Sequence, residues 1–115
     1  MHRVTVREIK KLELQNGKIP FDEWFGSLHD KKLQAAVDTR LARVRAGNFG
    51  DFKSVGSGVF LLRIQAGRGL RVYYGLHRGQ VVVLVGGGDK SRQQRDISRA
   101  QELWQQFVKY ASKEL

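Results

Sequence analysis

The sequence of 115 residues contains no cysteine, a single proline and no long hydrophobic run. Without cysteine the chain can form no disulfide and no thiolate metal site, and it has no thiol nucleophile. A membrane-spanning helix needs roughly 18 or more consecutive apolar residues, and no stretch of the chain has this pattern. The opening stretch MHRVTVREIKKLEL also lacks the apolar core of a signal peptide. We therefore expect a cytoplasmic protein with no membrane contact.

Histidine and acidic residues are also scarce. The three histidines, His2, His29 and His77, lie far apart in the sequence, so no pair suggests an acid–base couple. No cluster of His, Asp and Glu has the spacing of metal ligands, and we expect neither a metal nor a cofactor. The 11 acidic residues stand against 21 Lys and Arg, a net charge of +10. This imbalance favours a polyanionic or acidic partner, although a solvated basic surface is the plainer alternative.

The length predicts one domain over residues 1–115 with a single modest core. Alternating Val4, Val6 and Ile9 indicate a first strand. Two amphipathic helices follow and form a predicted helical hairpin with a break near Asp30; residues 46–58, rich in glycine, are expected to be an irregular loop. The apolar positions of the two helices are 21, 24, 25 and 28, and then 33, 37, 41 and 44.

Three strands and a helix are predicted for the rest of the chain. Residues 59–64 and 70–75 have the pattern of a β-hairpin, and the apolar run at residues 80–85 suits a strand buried on both faces. A C-terminal helix is expected to dock through Trp104 and Phe107. The predicted fold is α+β: a small antiparallel sheet of about four strands, an N-terminal helical hairpin and a C-terminal helix.

The stretch VVVLVGGGDKSRQQRDI (residues 81–97) runs from this buried strand into the last helix. A phosphate-binding Walker A loop would need glycine directly before the lysine, but Asp89 precedes Lys90, which excludes that motif. The glycines are interpreted instead as a tight turn, and Ser91 with Gln94 as the capping box of the helix. A helix N-terminus with a lysine beside it can nevertheless bind an anion.

Basic residues are concentrated between Arg63 and Arg99, where eight Lys and Arg stand against two acids, a net charge of +6. Within this region Arg63 and Arg71 lie in strand-like runs with apolar neighbours. Side chains alternate along a strand, so Arg71 is expected to share a face with Tyr73, and Val72 with Tyr74. Solvent-facing arginines and core tyrosines are the alternative. Asp96 can pair with arginines at positions 92 and 99 on the helix surface, an interpretation we slightly prefer to a role in RNA binding.

These residues together resemble the RelE-like toxin superfamily, in its branch of HigB-like addiction-module killer proteins. The resemblance covers essentially the whole chain, and the motifs are specific only in combination. They are Phe-x-x-Trp at Phe21 and Trp24, Gly-Asn-x-Gly-Asp at 47–51, Leu-Arg-Ile at 62–64, Gly-x-Arg-Val-Tyr-Tyr at 69–74, and Gly-Gly-Asp-Lys-Ser-x-Gln with Asp-Ile at 87–97.

The resemblance implies the toxin of a type II toxin–antitoxin module, a metal-independent messenger RNA endonuclease that acts on the ribosome. It implies a cognate antitoxin of helix-turn-helix type as partner. Arg71 matches the strand arginine that stabilises the charge on the reacting phosphate, and Lys90 and Arg63 are further candidate catalytic residues. The predicted RNA-binding residues are Arg68, Tyr73, Tyr74, Arg92, Gln93, Arg95 and Asp96.

A non-catalytic function remains as the alternative. A basic module that binds nucleic acid, or a gyrase-inhibiting toxin of the same fold, would account for the charge equally well. It would not account for the arginines at strand positions 63 and 71.

Overall fold

The computed structural model describes residues 6–113, with side chains through residue 111. His2 and Val4 therefore lie outside the described residues. The elements are β1 (Ile9–Lys11), α1 (Pro20–Ser27), α2 (Lys31–Arg45), β2 (Phe52–Gly56), β3 (Val59–Ile64), β4 (Leu70–His77) and β5 (Val81–Asp89), then a 3-10 turn (Lys90–Arg92) and α3 (Gln93–Lys113).

The strands form one sheet in the order β1-β5-β4-β3-β2. β1 runs parallel to β5, and the other neighbours are antiparallel. The α+β class and the C-terminal helix are thus confirmed. The prediction of about four strands, all antiparallel, was wrong, because the sheet has five strands in the described residues and is mixed.

Both unexpected features of the sheet lie at its edges. β1 begins at Ile9 and is three residues long, while Val6, predicted to be part of it, is 75% exposed and precedes the strand. β2 lies inside the segment predicted to be an irregular loop. Four of its five residues are exposed, so its sequence lacks the alternation of apolar and polar residues by which a half-buried strand is recognised.

The two predicted helices are present, but they do not dock as one hairpin. Pro20 occupies the first turn of α1, where its missing N–H leaves no bond unmade. Asp30 caps α2 by accepting a hydrogen bond from the Lys32 N–H at 2.8 Å. α1 packs against β5 and α2 against β3, because the apolar stripe of each helix is buried on the sheet.

The sheet is covered on both faces. One face packs against α1 and α2 through Leu62, Val72 and Tyr74, and the other packs against α3 through Leu61 and Tyr73. The predicted alternation of Arg71 and Tyr73 with Val72 and Tyr74 is therefore confirmed. β5 contributes apolar side chains to both core clusters, as its continuous apolar run predicts.

α3 docks through the two aromatic residues expected from the sequence. Trp104 is 6% exposed, and its ring stacks on Phe107 with a centroid distance of 5.1 Å. The Trp104 ring lies directly over Gly75 of β4 and beside Gly58. Residues without a Cβ at these positions allow the helix to approach the sheet closely.

The three glycines before α3 are not a turn. Gly86, Gly87 and Gly88 belong to β5, and none of them has a positive φ. Their role is close packing, since the Trp24 ring lies against Gly87 and the Asp96 carboxylate against Gly88. The reversal comes later, in the 3-10 turn.

The predicted capping box was also wrong. Asp89, not Ser91, caps the 3-10 turn that leads into α3, and its carboxylate accepts a hydrogen bond from the Ser91 N–H at 2.9 Å. Aspartate and serine are both good capping residues. The sequence therefore could not show which of the two lies at the start of the turn.

Candidate functional site

Arg63 and Arg71 lie directly opposite each other on β3 and β4. They project from the face of the sheet that packs against α3, because each is two residues along its strand from a side chain of that core, Leu61 or Tyr73. Like charges opposite each other in a sheet are unfavourable. Arg63 is compensated by Asp51, whose Oδ1 accepts a hydrogen bond from Arg63 Nε at 3.2 Å.

Arg71 is held in place by neutral acceptors. Its Nε donates to Gln93 Oε1 at 2.7 Å, and its Nη1 donates to the Gly69 carbonyl oxygen at 2.9 Å. Its Nη2 donates to no other described residue, and no carboxylate of the described residues lies within 4.0 Å. A guanidinium carries five N–H donors in a rigid plane. Arg71 therefore keeps its full charge and free donors in a fixed orientation, which suits an anionic ligand.

The Cβ of Lys90 and the guanidinium of Arg71 lie on the same side of Gly69. Gly69 has a φ of +82°, and a Cβ placed there would lie 3.0 Å from Arg71 Nη1 and 3.7 Å from Lys90 Cβ. This position suits glycine both by backbone conformation and by the closeness of the two cationic residues. The structure thus brings together the three residues predicted to be catalytic, Arg63, Arg71 and Lys90.

Asp89, the residue before Lys90, places a negative charge beside these three cationic residues. Hydrogen bonds from the Ser91 hydroxyl and backbone N–H hold its pKa below the ordinary value, the hydroxyl contributing most. The carboxylate is occupied by the turn that follows it. Lys90, the next residue, is exposed at the surface.

Asp96 lies one turn along α3 from Gln93. Its carboxylate packs on Gly88, the residue of β5 that is paired with Arg71. Burial raises the pKa of Asp96, and the nearby Asp89 raises it further. The predicted pairing with Arg92 or Arg99 was wrong: in the part of the chain that the structure describes, neither lies within 4.0 Å of this carboxylate.

The two tyrosines are core residues. Tyr73 and Tyr74 are each 1% exposed, and burial raises the pKa of each to about 12. Tyr74 stacks on Phe60, and the Tyr73 hydroxyl, which has no hydrogen-bond partner, belongs to a residue that lines a cavity of about 90 Å³ beside Asp96. Neither ring has a free face for a base, so the predicted contact of these tyrosines with RNA was wrong.

The other predicted RNA-binding residues divide into two groups. Arg68, Arg92 and Arg95 are exposed, in the β3–β4 turn, the 3-10 turn and the first turns of α3. Gln93 is only partly exposed, and its side-chain oxygen is occupied by Arg71. The structure therefore makes Gln93 a residue that positions Arg71.

Sequence reasoning missed three contributors to this site. Asp51 and Gly69 were noticed only as letters of motifs, with no role attached, and Gln93 was expected to touch RNA. A positive signal for Gly69 was available, because a glycine in a two-strand connection favours a positive φ. The Arg63–Asp51 pair joins residues 12 positions apart and requires the strand register to be known.

Residues 6–113 show neither a metal-binding cluster nor a membrane-spanning helix. No three His, Asp or Glu side chains of this part of the chain lie close enough together to hold a metal ion. None of its helices has both the length and the apolar character needed to cross a membrane.

Comparison with known proteins gives a family without a described activity. A protein of Haemophilus influenzae, described only as an uncharacterized protein, is 44% identical over 89 residues, which cover 77% of this chain and 90% of the relative. The chain belongs to the same family as this Haemophilus protein. No family model matches the chain, and no solved structure matches it.

Proposed function

We propose that the protein is a RelE-like toxin of the HigB-like branch, a metal-independent endoribonuclease that cleaves messenger RNA on the ribosome. The observation that carries the proposal is Arg71, a partly buried strand arginine that Gln93 and Gly69 orient while part of its guanidinium stays free. Lys90, in the adjoining turn, adds to the positive charge around it, and Arg63 lies on the opposite strand in an ion pair with Asp51.

This arrangement suits attack by a ribose 2′-hydroxyl on the neighbouring phosphate. The 2′-hydroxyl loses its proton to solvent as its oxygen forms a bond to phosphorus. The bond to the 5′-oxygen breaks, this oxygen takes up a proton, and a 2′,3′-cyclic phosphate and a 5′-hydroxyl result. Negative charge builds up on the non-bridging oxygens, where preorganised donors stabilise it most effectively. We assign this role to Arg71. Lys90 is assigned to stabilise the negative charge on the leaving oxygen, and Arg63 is assigned to contact an adjacent phosphate of the backbone.

The charge of the site supports the partners that the resemblance implies. Residues 63–99 carry a net charge of +6, and the exposed Arg68, Arg92 and Arg95 extend the positive surface around the arginine pair. Such a surface attracts any RNA by counterion release. We propose that a cognate antitoxin of helix-turn-helix type covers it in the cytoplasm until the toxin is released onto ribosomes.

A binding module without chemistry, whether it binds nucleic acid or inhibits gyrase, is the second candidate. The observation in its favour is that Arg68, Arg92 and Arg95 are exposed and could grip phosphates without the Arg71 site. It gives no reason for the oriented guanidinium of Arg71, since a phosphate contact that only binds needs no such fixation.

Substitution of Arg71 separates the two candidates. Arg71→Ala should lower the single-turnover rate of RNA cleavage on ribosomes by about 10²–10³, the cost of losing one preorganised donor to a developing charge. Ribosome binding should change far less, because the interaction strengthens only in the transition state. Lys90→Ala should behave similarly, whereas Arg78→Ala, in the exposed β4–β5 turn, should leave the rate unchanged.

Circular dichroism and thermal melting establish that each variant is folded before rates are compared. If Arg71→Ala cleaves at the rate of the unaltered protein, the catalytic assignment is wrong. If the unaltered protein cuts no RNA on translating ribosomes but binds it, the binding module is the better description.

A further inference from the structure

A second basic surface lies on the α2 side of Arg63. It is an open groove of about 530 Å³ between α2 and the segment 48–51, and we call it the α2 groove. Four basic residues line it, Lys32, Arg40, Arg43 and Arg63. Asp51 is the one acidic residue among the described residues of its lining.

The single acid of the α2 groove is already occupied. Asp51 pairs with Arg63 through its carboxylate and accepts a hydrogen bond from Arg40 Nη2 at its backbone oxygen, at 3.1 Å. Lys32, Arg40 and Arg43 have no carboxylate within 4.0 Å in the described part of the chain. The groove therefore holds three cationic groups without a counterion from these residues.

The like charges also affect one another. The pKa of Arg40 is lowered, first by burial and next by the charge of Arg43. The Arg40 guanidinium lies against Gly50, and its Nη2 donates a hydrogen bond to the Asp51 carbonyl oxygen. Position 50 has a φ of +60°, a conformation that glycine adopts readily. An anionic ligand in the groove would relieve this repulsion.

The form of the ligand follows from what surrounds the α2 groove. Arg63 lines the groove and also stands opposite Arg71 on the sheet, so the groove shares this residue with the candidate site. Phe52, the residue after Asp51, is 47% exposed. A basic track with an exposed aromatic side chain nearby is typical of surfaces that bind single-stranded nucleic acid, whose phosphates follow the cations while bases stack.

We propose that the α2 groove binds the phosphate backbone of RNA next to Arg63, the residue that it shares with the candidate site. Lys32 and Arg43 contact phosphates, and Arg40 completes the positive wall. The identity of the ligand rests on the proposed function, because RNA is the ligand assigned to that site. The backbone has two possible sources, the substrate strand and ribosomal RNA.

A matched pair of double variants tests the proposal. Lys32→Gln with Arg43→Gln removes two cations from the α2 groove. Lys31→Gln with Arg45→Gln removes two cations from the same first and last turns of α2, at exposed positions that do not line the groove. Both variants lose the same net charge and the same favourable charge at the C-terminus of the helix.

Binding is measured by fluorescence anisotropy with a labelled 2′-O-methyl RNA strand, which cannot be cleaved because it lacks the nucleophile. Binding to intact ribosomes is measured in parallel, both over a range of salt concentrations. For single-stranded RNA the slope of log K against log salt should become shallower by about 1.4 in the groove variant, since each phosphate contact contributes about 0.7. The matched variant should keep the original slope.

The outcomes distinguish substrate RNA from ribosomal RNA, and RNA from an acidic peptide, as the ligand of the α2 groove. If the groove variant binds the RNA strand more weakly, the ligand of the groove is the substrate. If it binds only ribosomes more weakly, the ligand is ribosomal RNA. Either result supports the proposal. Equal behaviour of the two double variants with both probes would overturn it, as would a loss of binding to an oligoglutamate peptide with none to RNA. If the unaltered protein binds neither the RNA strand nor the ribosome, the proposal is overturned too.

The test is independent of cleavage. A groove-dependent slope in a protein that cuts no RNA would uphold the α2 groove and reject the endoribonuclease. Cleavage that depends on Arg71, together with a salt slope that is the same in both double variants, would uphold the endoribonuclease and reject the α2 groove as an RNA site.

Discussion

Gln93 and Arg71 form a unit within the candidate site. The Gln93 side-chain oxygen accepts the Arg71 Nε–H at 2.7 Å, so the amide fixes the plane of the guanidinium without neutralising it. A carboxylate at this place would hold Arg71 as firmly but would cancel the charge that a phosphate needs. The neutral partner is the feature that distinguishes Arg71 from Arg63, which is paired with Asp51.

Gln93→Ala should therefore lower cleavage by acting through Arg71. Loss of a hydrogen bond to a charged group costs about 1.5–3 kcal/mol, so we expect the rate to fall about 10- to 100-fold. In the double variant with Arg71→Ala the second substitution should add little, because the group that it positions is gone. Single-turnover rates of the four proteins of this cycle measure the coupling.

Gln94→Ala, at the next, exposed position of α3, is the control and should cleave normally. Additive effects of Gln93 and Arg71 in the cycle would contradict a positioning role. They would indicate instead that Gln93 contacts the RNA itself.

Residue-level prediction from the sequence succeeded where strand geometry was sufficient. Arg63 and Arg71 could be placed on one hairpin, and a register that pairs position 64 with position 70 brings them opposite each other. Tyr73 and the pairing of Asp96 were mispredicted, because their packing depends on α3, which lies more than 20 residues further along the chain than the β3–β4 turn. Tyr74 was mispredicted because it is buried on the other face of the sheet, among residues of α1 and α2. The α2 groove likewise requires the tertiary structure.

β5 shows how the same glycines can suit two different structures. A run of three glycines before a helix usually permits a turn, since glycine adopts positive φ readily. In this chain Gly86, Gly87 and Gly88 stay extended, and Trp24 of α1 and Asp96 of α3 approach the strand from either side. Only the packing partners decide between these structures, and no local pattern reveals them.

Gly87→Ala should destabilise the protein, whereas Gly86→Ala should not. A Cβ at position 87 would collide with the Trp24 ring, but a Cβ at position 86 would meet nothing within 4 Å. Overpacking of this kind costs about 1–3 kcal/mol. The free energies of unfolding in urea compare the two variants, which differ by one position and carry the same added methyl group.

Equal stability of the two alanine variants would show that Trp24 moves aside at no cost. The packing explanation for the glycines of β5 would then be wrong, and their conformation alone would need another reason. A loss of stability at both positions would instead indicate that glycine is required by the backbone.

Element prediction from the sequence worked for the long, strongly patterned segments. The β3–β4 hairpin, the doubly buried β5 and the amphipathic α3 each show their own period of apolar residues. β2 was not predicted, because it is largely exposed. A first strand was predicted, but β1 has only three residues and begins at Ile9, where the predicted alternation ends. Short edge strands are defined by hydrogen bonds to a neighbour, which leave little trace in their side chains.

The molecule as a whole combines a net charge of +10 with a partly buried carboxylate at position 96. Acids on a basic protein usually gain stability from surrounding cations. Asp96 does not, because burial and Asp89 raise its pKa more than Arg92 and Arg95 lower it. Its carboxylate adjoins the cavity of about 90 Å³ that Tyr73 and Arg99 also line.

Asp96→Asn is accordingly expected to stabilise the fold at neutral pH. A carboxyl whose pKa is raised by folding contributes favourably below the unfolded value, about 3.9, and this contribution is lost as the pH rises through the folded pKa. The variant should unfold at a higher urea concentration than the unaltered protein at pH 7, and the difference should vanish below the unfolded value. Glu102→Gln, on the exposed side of α3, removes the same charge and should give no such gain. An Asp96→Asn protein less stable than the unaltered one at pH 7 would show that the ionised carboxylate is held favourably, and the assignment of burial as its dominant influence would fail.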